Sequence, residues 1–177
     1  MVLSEFARAR PGLRLDVRCD LSVRLNRNLE RGELDLILFK REAGERGGLV
    51  IWTERLRWIT SRNHPPDRLR DAVPLVVFPQ GCLYRNRAIH ALEAAGRAWY
   101  VAYTCPNFQG IQAGVSAGLG ISLLPHTAIL AEHRVLRARD GFPRVRNTEL
   151  ALLVGPNPTP ATRRLADVLA AFCMPAA

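Results

Sequence analysis

The chain has 177 residues, with 25 Lys or Arg against 16 Asp or Glu and a formal net charge of +9. This length is enough to bury a core, as one domain or as two small lobes. A hydrophobic content of 48% excludes a disordered chain, and no apolar run reaches the length of a membrane span. Charged residues occupy the N-terminus where a signal peptide needs an apolar core, so we expect a cytoplasmic protein.

The positive charge comes almost entirely from arginine, since Lys40 is the only lysine. The arginines are scattered along the chain without interleaved aromatic residues, which favours a compositional bias over a nucleic-acid groove. The four cysteines form no C-x-x-C pair, and together with the four histidines they show no metal-binding spacing. We therefore expect reduced thiols, no metal and no cofactor.

The first elements follow a β-α-β order. Residues 1–10 have the pattern of a helix end, and Leu13–Val17 alternate apolar with charged residues as a half-buried strand does. Ser22 can begin a helix that Gly32 ends. The apolar run Leu34–Phe39 predicts a strand covered on both faces. This strand, the preceding helix and the strand before it form a β-α-β unit, which predicts two parallel strands joined by a right-handed crossover.

The charged, glycine-rich residues 40–48 predict a boundary or hinge between two parts of the chain. Beyond it the pattern predicts strands at Leu49–Trp52, Leu56–Ser61, Leu75–Phe78, Trp99–Tyr103, Val135–Leu136 and Glu149–Val154, with helices at Leu83–Ala95, Thr127–Glu132 and Thr159–Phe172.

The most informative stretch runs from Thr104 to Pro125, where a helix leads into a buried strand. Asn107 is a candidate N-cap, and apolar residues recur at helical spacing as far as Leu119. Gly114 and Gly118 allow another element to pack closely against one side of this helix. Gly120 is expected to end the helix before a strand at residues 121–124.

Three segments together resemble the effector-binding domain of LysR-type transcriptional regulators. They are RPGLRLDVRCDLSVRLNRNLERGELDLIL, the stretch from PLVVFPQGC to AAGR, and GVSAGLGISLLP, in this order and spacing. The resemblance implies an α/β, two-lobed fold of the type II periplasmic-binding-protein kind, with mixed sheets flanked by helices. Lobe I is expected at 1–40 and 147–177 and lobe II at 41–146. Similar domains open with a strand that precedes residues 1–10, so we expect a gap in the sheet of lobe I.

The resemblance also implies a function. Such a domain senses a small molecule held between the lobes, and we expect a regulatory domain that is not an enzyme and forms a homodimer or tetramer. Members of the family bind DNA through a winged helix-turn-helix that these 177 residues do not contain, so we expect no specific DNA binding by this polypeptide alone. A solute-binding protein of a transport system shares the lobe architecture and remains an alternative.

Seven residues are candidates for the effector site by their match to related domains: Ser22, Phe39, Pro79, Gln80, Gly81, Thr104 and Asn107. Helix N-termini near them would suit a carboxylate or another anion. Ser22 and Asn107 can equally be helix caps, Gly81 can serve only a tight turn, and Phe39 can belong to the core.

The spelling G-V-S-A-G at residues 114–118 matches the G-x-S-x-G of a nucleophile elbow, with Ser116 as the nucleophile. An elbow needs a strand before the serine and a helix after it, whereas here the predicted order is reversed. The pattern therefore argues against catalysis.

Overall fold

The computed structural model describes residues 2–66 and 72–173. Over these residues it contains five α-helices, α1 (Val2–Arg8), α2 (Ser22–Glu30), α3 (Leu83–Ala94), α4 (Phe108–Ser116) and α5 (Pro160–Cys173), and eight strands, β1 (Leu36–Glu42), β2 (Leu49–Glu54), β3 (Leu56–Ser61), β4 (Val73–Val77), β5 (Trp99–Thr104), β6 (Ser122–Pro125), β7 (His133–Leu136) and β8 (Thr148–Val154). The chain divides into two compact units, the first formed by 1–53 with 149–177 and the second by 54–148.

The first unit is built on a three-stranded sheet in the order β1-β8-β2. Side chains of β1 alternate between two apolar clusters, because successive residues of a strand point to opposite faces. Ile37 and Phe39 pack with Leu29 of α2, whereas Leu36 and Leu38 pack on the cluster that contains Leu169 of α5. The sheet is therefore covered on both faces, as the apolar run of β1 predicts.

The second unit contains two smaller sheets. The strands β6, β3 and β7 form an antiparallel sheet, while β4 and β5 pair in parallel. Ile121 bridges Leu75 in parallel and so extends the β4–β5 pair just ahead of β6. The core of this unit lies between these strands and α3 and α4, and it includes Ile59, Leu92 and Ile111 with no exposed surface.

Several predicted elements differ in the structure. The strand predicted at Leu13–Val17 does not form, because none of the strands in the described residues pairs with this segment. The strand predicted to end at Phe39 continues to Glu42, into the predicted hinge. The helix predicted at Thr127–Glu132 is a short 3₁₀ turn at His126–Ala128.

The glycines of the 104–125 stretch have separate structural roles. The helix α4 ends at Ser116, earlier than predicted, and Gly118 follows it with a φ of +80°. At Gly114 a Cβ atom would lie 3.0 Å from Tyr103 Cδ1 and 3.2 Å from Val76 Cγ1. The absence of a side chain at Gly114 therefore lets α4 lie directly on β4 and β5, as the sequence predicts.

Candidate functional site

One edge of the second unit brings together two strand ends and two helix starts. In the parallel pair of β4 and β5, Val77 lies opposite Thr104. The chain leaves β4 through the turn 79–81 into α3, and it leaves β5 through Cys105-Pro106-Asn107 into α4. Because the carboxyl ends of parallel strands share one edge, the N-termini of α3 and α4 are neighbours there.

The turn after β4 exposes backbone at the start of α3. The Cys82 N–H donates to the Pro79 carbonyl oxygen at 3.2 Å, which closes the turn. Gly81 is exposed and has a φ of +88°, a conformation that disfavours residues with a Cβ atom. Gln80 is exposed, and the N-cap residue Cys82 makes no side-chain capping hydrogen bond. The side chain of the N-cap residue therefore does not occupy the first N–H groups of α3.

The start of α4 is capped by its own chain. Asn107 Oδ1 accepts a hydrogen bond of 2.8 Å from the Gly110 N–H, so Asn107 is a helix cap, as one of its two interpretations predicts. Thr104 and Asn107 are both exposed at this edge.

Three aromatic rings tie the two helix starts to the end of β4. The ring centroids of Phe78 and Phe108 lie 5.2 Å apart in an edge-on arrangement, and that of Tyr84 lies 5.9 Å from Phe78 and 6.2 Å from Phe108. Aromatic pairs at these distances stabilise each other beyond their burial. The sequence analysis did not identify this cluster, although aromatic residues in the first turn of both helices were its visible signal.

The Tyr84 hydroxyl links α3 to a carboxylate at the boundary of the unit. It donates a hydrogen bond of 2.5 Å to Glu54 Oε2, which also accepts one of 3.2 Å from Thr148 Oγ1. Glu54 ends β2 and Thr148 begins β8, so both lie where the chain passes between the two units. Burial raises the pKa of the Tyr84 hydroxyl far above its ordinary value, and the negative charge of Glu54 raises it further.

In the first unit, Ser22 and Phe39 have structural roles. Ser22 begins α2, and its Oγ accepts a hydrogen bond of 2.9 Å from the Lys40 N–H of β1. Phe39 is buried in the apolar cluster with Leu29 and Ile37, which favours its interpretation as core. The carboxylate of Asp20 accepts a hydrogen bond of 2.7 Å from the Leu21 N–H, so a negative charge already lies near the start of α2.

Ser116 contacts a histidine, but the histidine is not placed to act as its base. Ser116 Oγ lies 3.1 Å from His133 Nε2. The Leu130 N–H donates to His133 Nδ1 at 3.2 Å, so in the neutral ring the proton is on Nε2, which also lies 3.2 Å from the Gln112 carbonyl oxygen. A protonated Nε2 donates to Ser116 and cannot accept its proton. The contact joins the end of α4 to β7.

Two further properties concern the described part of the chain. Within 2–66 and 72–173, no group of three or more His, Cys, Asp or Glu side chains is arranged to hold a metal ion. None of the helices in these ranges is long and apolar enough to cross a membrane.

Five of the seven predicted site residues therefore lie at one edge of the second unit: Pro79, Gln80, Gly81, Thr104 and Asn107. Ser22 and Phe39 belong to the first unit.

Comparison with known proteins agrees with this architecture. The chain is 26% identical over 156 residues to the HTH-type transcriptional regulator PecT of Dickeya dadantii, an alignment that covers 88% of this chain and 49% of PecT. The chain thus spans about half the length of the curated relatives it matches.

Two solved structures share the fold. The regulatory domain of CcmR from Synechocystis, in complex with 2-PG, superposes with a TM-score of 0.73 at 19% identity, over 97% of this chain and 89% of that one. The bromide ion-bound regulatory domain of HypT from Salmonella typhimurium gives a TM-score of 0.74 at 16% identity, over 96% of this chain and 89% of that one.

These neighbours show that the fold is of the type II periplasmic-binding-protein kind, with mixed sheets flanked by helices, as the sequence predicts. The family model described as LysR substrate binding domain matches residues 1–174. The chain therefore belongs to the LysR substrate-binding domain family, whose members are parts of transcriptional regulators rather than enzymes.

Proposed function

We propose that this chain is the effector-sensing domain of a cytoplasmic LysR-type regulator, and that its effector is a small anion such as a carboxylate. The observation that carries the proposal is the edge of the second unit where β4 and β5 end and α3 and α4 begin. Backbone N–H groups at a helix start carry partial positive charge and attract anions.

Within this edge, α3 is the better anion acceptor of the two helices. Its start has no side-chain capping hydrogen bond, whereas the Asn107 carboxamide already occupies a first-turn N–H of α4. Gly81 is exposed and has no side chain to cover the backbone, while the Gln80 amide and the Thr104 hydroxyl offer further donors. The bromide ion bound to the HypT regulatory domain supports an anion as the effector class.

We further propose Ser22 of α2 as a ligand contact that the first unit offers by itself. The Ser22 hydroxyl accepts the Lys40 N–H, and its own hydrogen can still donate to a ligand. The two compact units then correspond to lobes I and II, with their boundary at Thr53/Glu54 and Thr148/Glu149 rather than near 40 and 147.

The regulator is proposed to act as a homodimer or tetramer. The strand β5 lies at the edge of its sheet and exposes apolar side chains that a second subunit can cover, among them Tyr100, Val101 and Tyr103. DNA contacts are assigned to a winged helix-turn-helix in the rest of the regulator. The sensed signal would pass from the effector site to DNA through the arrangement of the subunits.

Isothermal calorimetry against a panel of small carboxylates, inorganic anions, neutral compounds and cations tests the effector class. We expect an anion to bind, and Thr104→Val to weaken its binding roughly 3- to 10-fold, the effect of one hydrogen bond. Thr127→Val is the matched control, since Thr127 is exposed in the 3₁₀ turn after β6. Binding of only neutral or cationic compounds, or equal effects of the two substitutions, would contradict the proposal.

A further inference from the structure

Although arginines occur along the whole chain, the net positive charge is concentrated in the second unit. Residues 54–148 contain 13 Arg and 6 Asp or Glu, so this unit carries +7 of the formal net charge of +9. The arginines are densest at residues 134–146, which include most of β7 and the turn after it. We call 134–146 the basic segment. All five of its arginines are exposed: Arg134, Arg137, Arg139, Arg144 and Arg146.

Carboxylates offset little of this charge. Asp140 is the acidic residue of the basic segment, and its Oδ1 lies 3.6 Å from Arg134 Nη1. Asp140 Oδ2 accepts a hydrogen bond of 2.8 Å from the Arg137 N–H, so this carboxylate is already engaged within the segment. Among the residues that the structure describes, none forms an ion pair or a side-chain hydrogen bond with the guanidinium of Arg139 or Arg144. These two cations are therefore available to an external anion.

Contacts with the rest of the second unit hold the backbone of the basic segment. Arg97 Nη1 donates a hydrogen bond of 2.8 Å to the Gly141 carbonyl oxygen, and its guanidinium carbon lies 4.6 Å from the centre of the Phe142 ring. Trp58 Nε1 donates a hydrogen bond of 2.9 Å to the Pro143 carbonyl oxygen. The turn after β7 is thus anchored through its carbonyl groups and through Phe142, which is buried. The exposed arginines extend from a fixed backbone.

The end of the basic segment is anchored by α3. Arg87 Nη1 donates hydrogen bonds to the carbonyl oxygens of Arg146, at 2.6 Å, and Asn147, at 3.1 Å. Burial lowers the pKa of the Arg87 guanidinium, and the positive charge of Arg146 lowers it further. Like charges therefore repel each other at this end of the segment. An anion bound beside Arg146 would relieve that repulsion.

We propose that the basic segment contacts the phosphate backbone of duplex DNA, independently of base sequence. A guanidinium group binds phosphate through paired N–H donors and keeps its charge at physiological pH. Several such contacts release counterions from the duplex, which drives binding without any reading of bases. The inference rests on the proposed function, because the choice of DNA as the polyanion follows from the role of a transcriptional regulator.

The apolar residues of the basic segment favour a nucleic acid over a protein or a membrane as the partner. Leu136 and Phe142 are buried, and Val135 and Val145 are half-buried. A protein interface takes most of its binding energy from large side chains at its centre, often aromatic ones, and a membrane surface is bound by apolar side chains that insert into it. A polyanion needs only the positive charges.

Fluorescence anisotropy with a labelled DNA duplex of mixed sequence measures binding to the 177-residue protein over a series of salt concentrations. We expect the logarithm of the affinity to fall linearly with the logarithm of the salt concentration. Arg139→Gln/Arg144→Gln should weaken binding at low salt about tenfold or more. The same variant should also reduce the salt slope by about 1.8, since each lost phosphate contact accounts for about 0.9.

Arg163→Gln/Arg164→Gln is the matched control, because it removes the same charge from exposed positions of α5 in the first unit. It should leave the affinity and the salt slope unchanged. Circular dichroism of both variants confirms that they are folded. The proposal is overturned if the duplex does not bind at low salt, or if the two variants weaken binding equally, because net charge alone would then explain it.

Two competitors test the class of partner. Poly-glutamate offers carboxylates on a polypeptide, and vesicles of phosphatidylcholine with phosphatidylserine offer an anionic membrane surface. At equal concentrations of charge, both should displace the labelled duplex less effectively than unlabelled duplex does. Displacement by either one as effective as that by unlabelled duplex would overturn the choice of DNA.

Calorimetry with small anions separates this inference from the proposed effector class. If an anion binds while Arg139→Gln/Arg144→Gln leaves DNA binding unchanged, the inference on the basic segment fails and the effector class stands. If the duplex binds with the expected dependence on these arginines and no small anion binds, the effector class fails and the DNA contact stands.

Discussion

The hydroxyl of Tyr84 donates a 2.5 Å hydrogen bond to the carboxylate of Glu54, and so joins the first turn of α3 to the end of β2. Tyr84 is 2% exposed, so water contributes little to this contact. The same residue takes part in the aromatic cluster with Phe78 and Phe108 under the candidate effector site. The start of α3 is therefore fixed both by this hydrogen bond and by the aromatic cluster.

Replacing Tyr84 by Phe is expected to lower the free energy of unfolding by about 1.5 to 3 kcal/mol, the contribution of a hydrogen bond to a charged group. The ring remains, so the aromatic packing is kept and the loss of stability measures the contribution of the hydroxyl alone. Urea denaturation at neutral pH measures the change. Thr127→Val is the control because it removes a hydroxyl at an exposed position, and an equal loss there would refute the assignment.

The same hydroxyl predicts how stability changes at alkaline pH. Burial, and then the charge of Glu54, raise the pKa of Tyr84 in the folded state above the ordinary value of 10.0. As the pH rises past 10, the unfolded chain releases this proton first. The stabilisation is therefore complete below the ordinary pKa and is lost above it. Between pH 10 and 11 the wild type should lose stability more steeply than Tyr84→Phe; parallel curves for the two proteins would contradict this.

The absence of a side chain at Gly110 leaves the space that the Cys105 thiol occupies. A Cβ atom on Gly110 would lie 2.1 Å from Cys105 Sγ, far closer than any packed contact. Gly110→Ala should therefore destabilise the protein by about 1 to 3 kcal/mol, the usual cost of overpacking, even though alanine favours a helix. Thermal denaturation measures the change.

The double variant Gly110→Ala/Cys105→Ala separates this clash from other causes. Removing the sulfur atom clears the nearest contact, so the second substitution should recover part of the stability lost by the first. Gln109→Ala, at an exposed neighbouring position of α4, controls for the change in helix propensity. Losses that simply add in the double variant would exclude the clash.

Arg41 and Glu149 form a buried ion pair in the first unit. The Arg41 Nε donates to Glu149 Oε2 at 2.9 Å, with side-chain exposures of 8% and 16%, and a second guanidinium nitrogen donates to the Gly47 carbonyl oxygen. Arg41→Ala leaves the carboxylate without its cation and should cost about 3 to 5 kcal/mol. Glu149 also accepts from the Gly44 N–H, so the 44–47 loop depends on the pair.

The exposed ion pair of Arg18 and Asp16 is the comparison for the buried pair of Arg41 and Glu149. It has a similar distance of 3.0 Å, but its side chains are 54% and 63% exposed. Arg18→Ala should change the free energy of unfolding by at most about 1 kcal/mol, as for other exposed pairs. Chemical denaturation of both variants makes the comparison, and equal losses would show that burial does not decide the strength of the Arg41 pair.

The sequence correctly predicted those features that depend only on residues close together in the chain. Asn107 caps α4 because its side chain reaches an N–H three residues away, and the apolar run in β1 needs only its own composition to be recognised. The prediction at Leu13–Val17 was wrong because a strand also needs a partner, and no strand in the described ranges pairs with this segment.

The parts of the candidate site that depend on distant residues were not predictable in this way. Ser22 and Lys40 are 18 residues apart, and Glu54 is 30 residues from Tyr84. These contacts follow from the topology, which places the starts of helices beside particular strands. The family resemblance pointed to the turn 79–81 and Thr104 as candidates, whereas the hydrogen bond from Tyr84 to Glu54 became visible only in three dimensions.

Oligomerisation through β5 is open to a direct test. Tyr100 and Val101 are 53% and 37% exposed on a strand at the edge of its sheet, an arrangement that favours association with another chain. Tyr100→Arg places a charge where the proposed interface is apolar and should shift the protein towards the monomer. Light scattering coupled to size-exclusion chromatography measures the mass of each species. Val23→Arg, at an exposed apolar position on α2, is the control and should keep the wild-type mass. A monomeric wild type, or dissociation caused equally by both substitutions, would remove β5 as the interface, because a specific contact must respond to charge at one surface and not at the other.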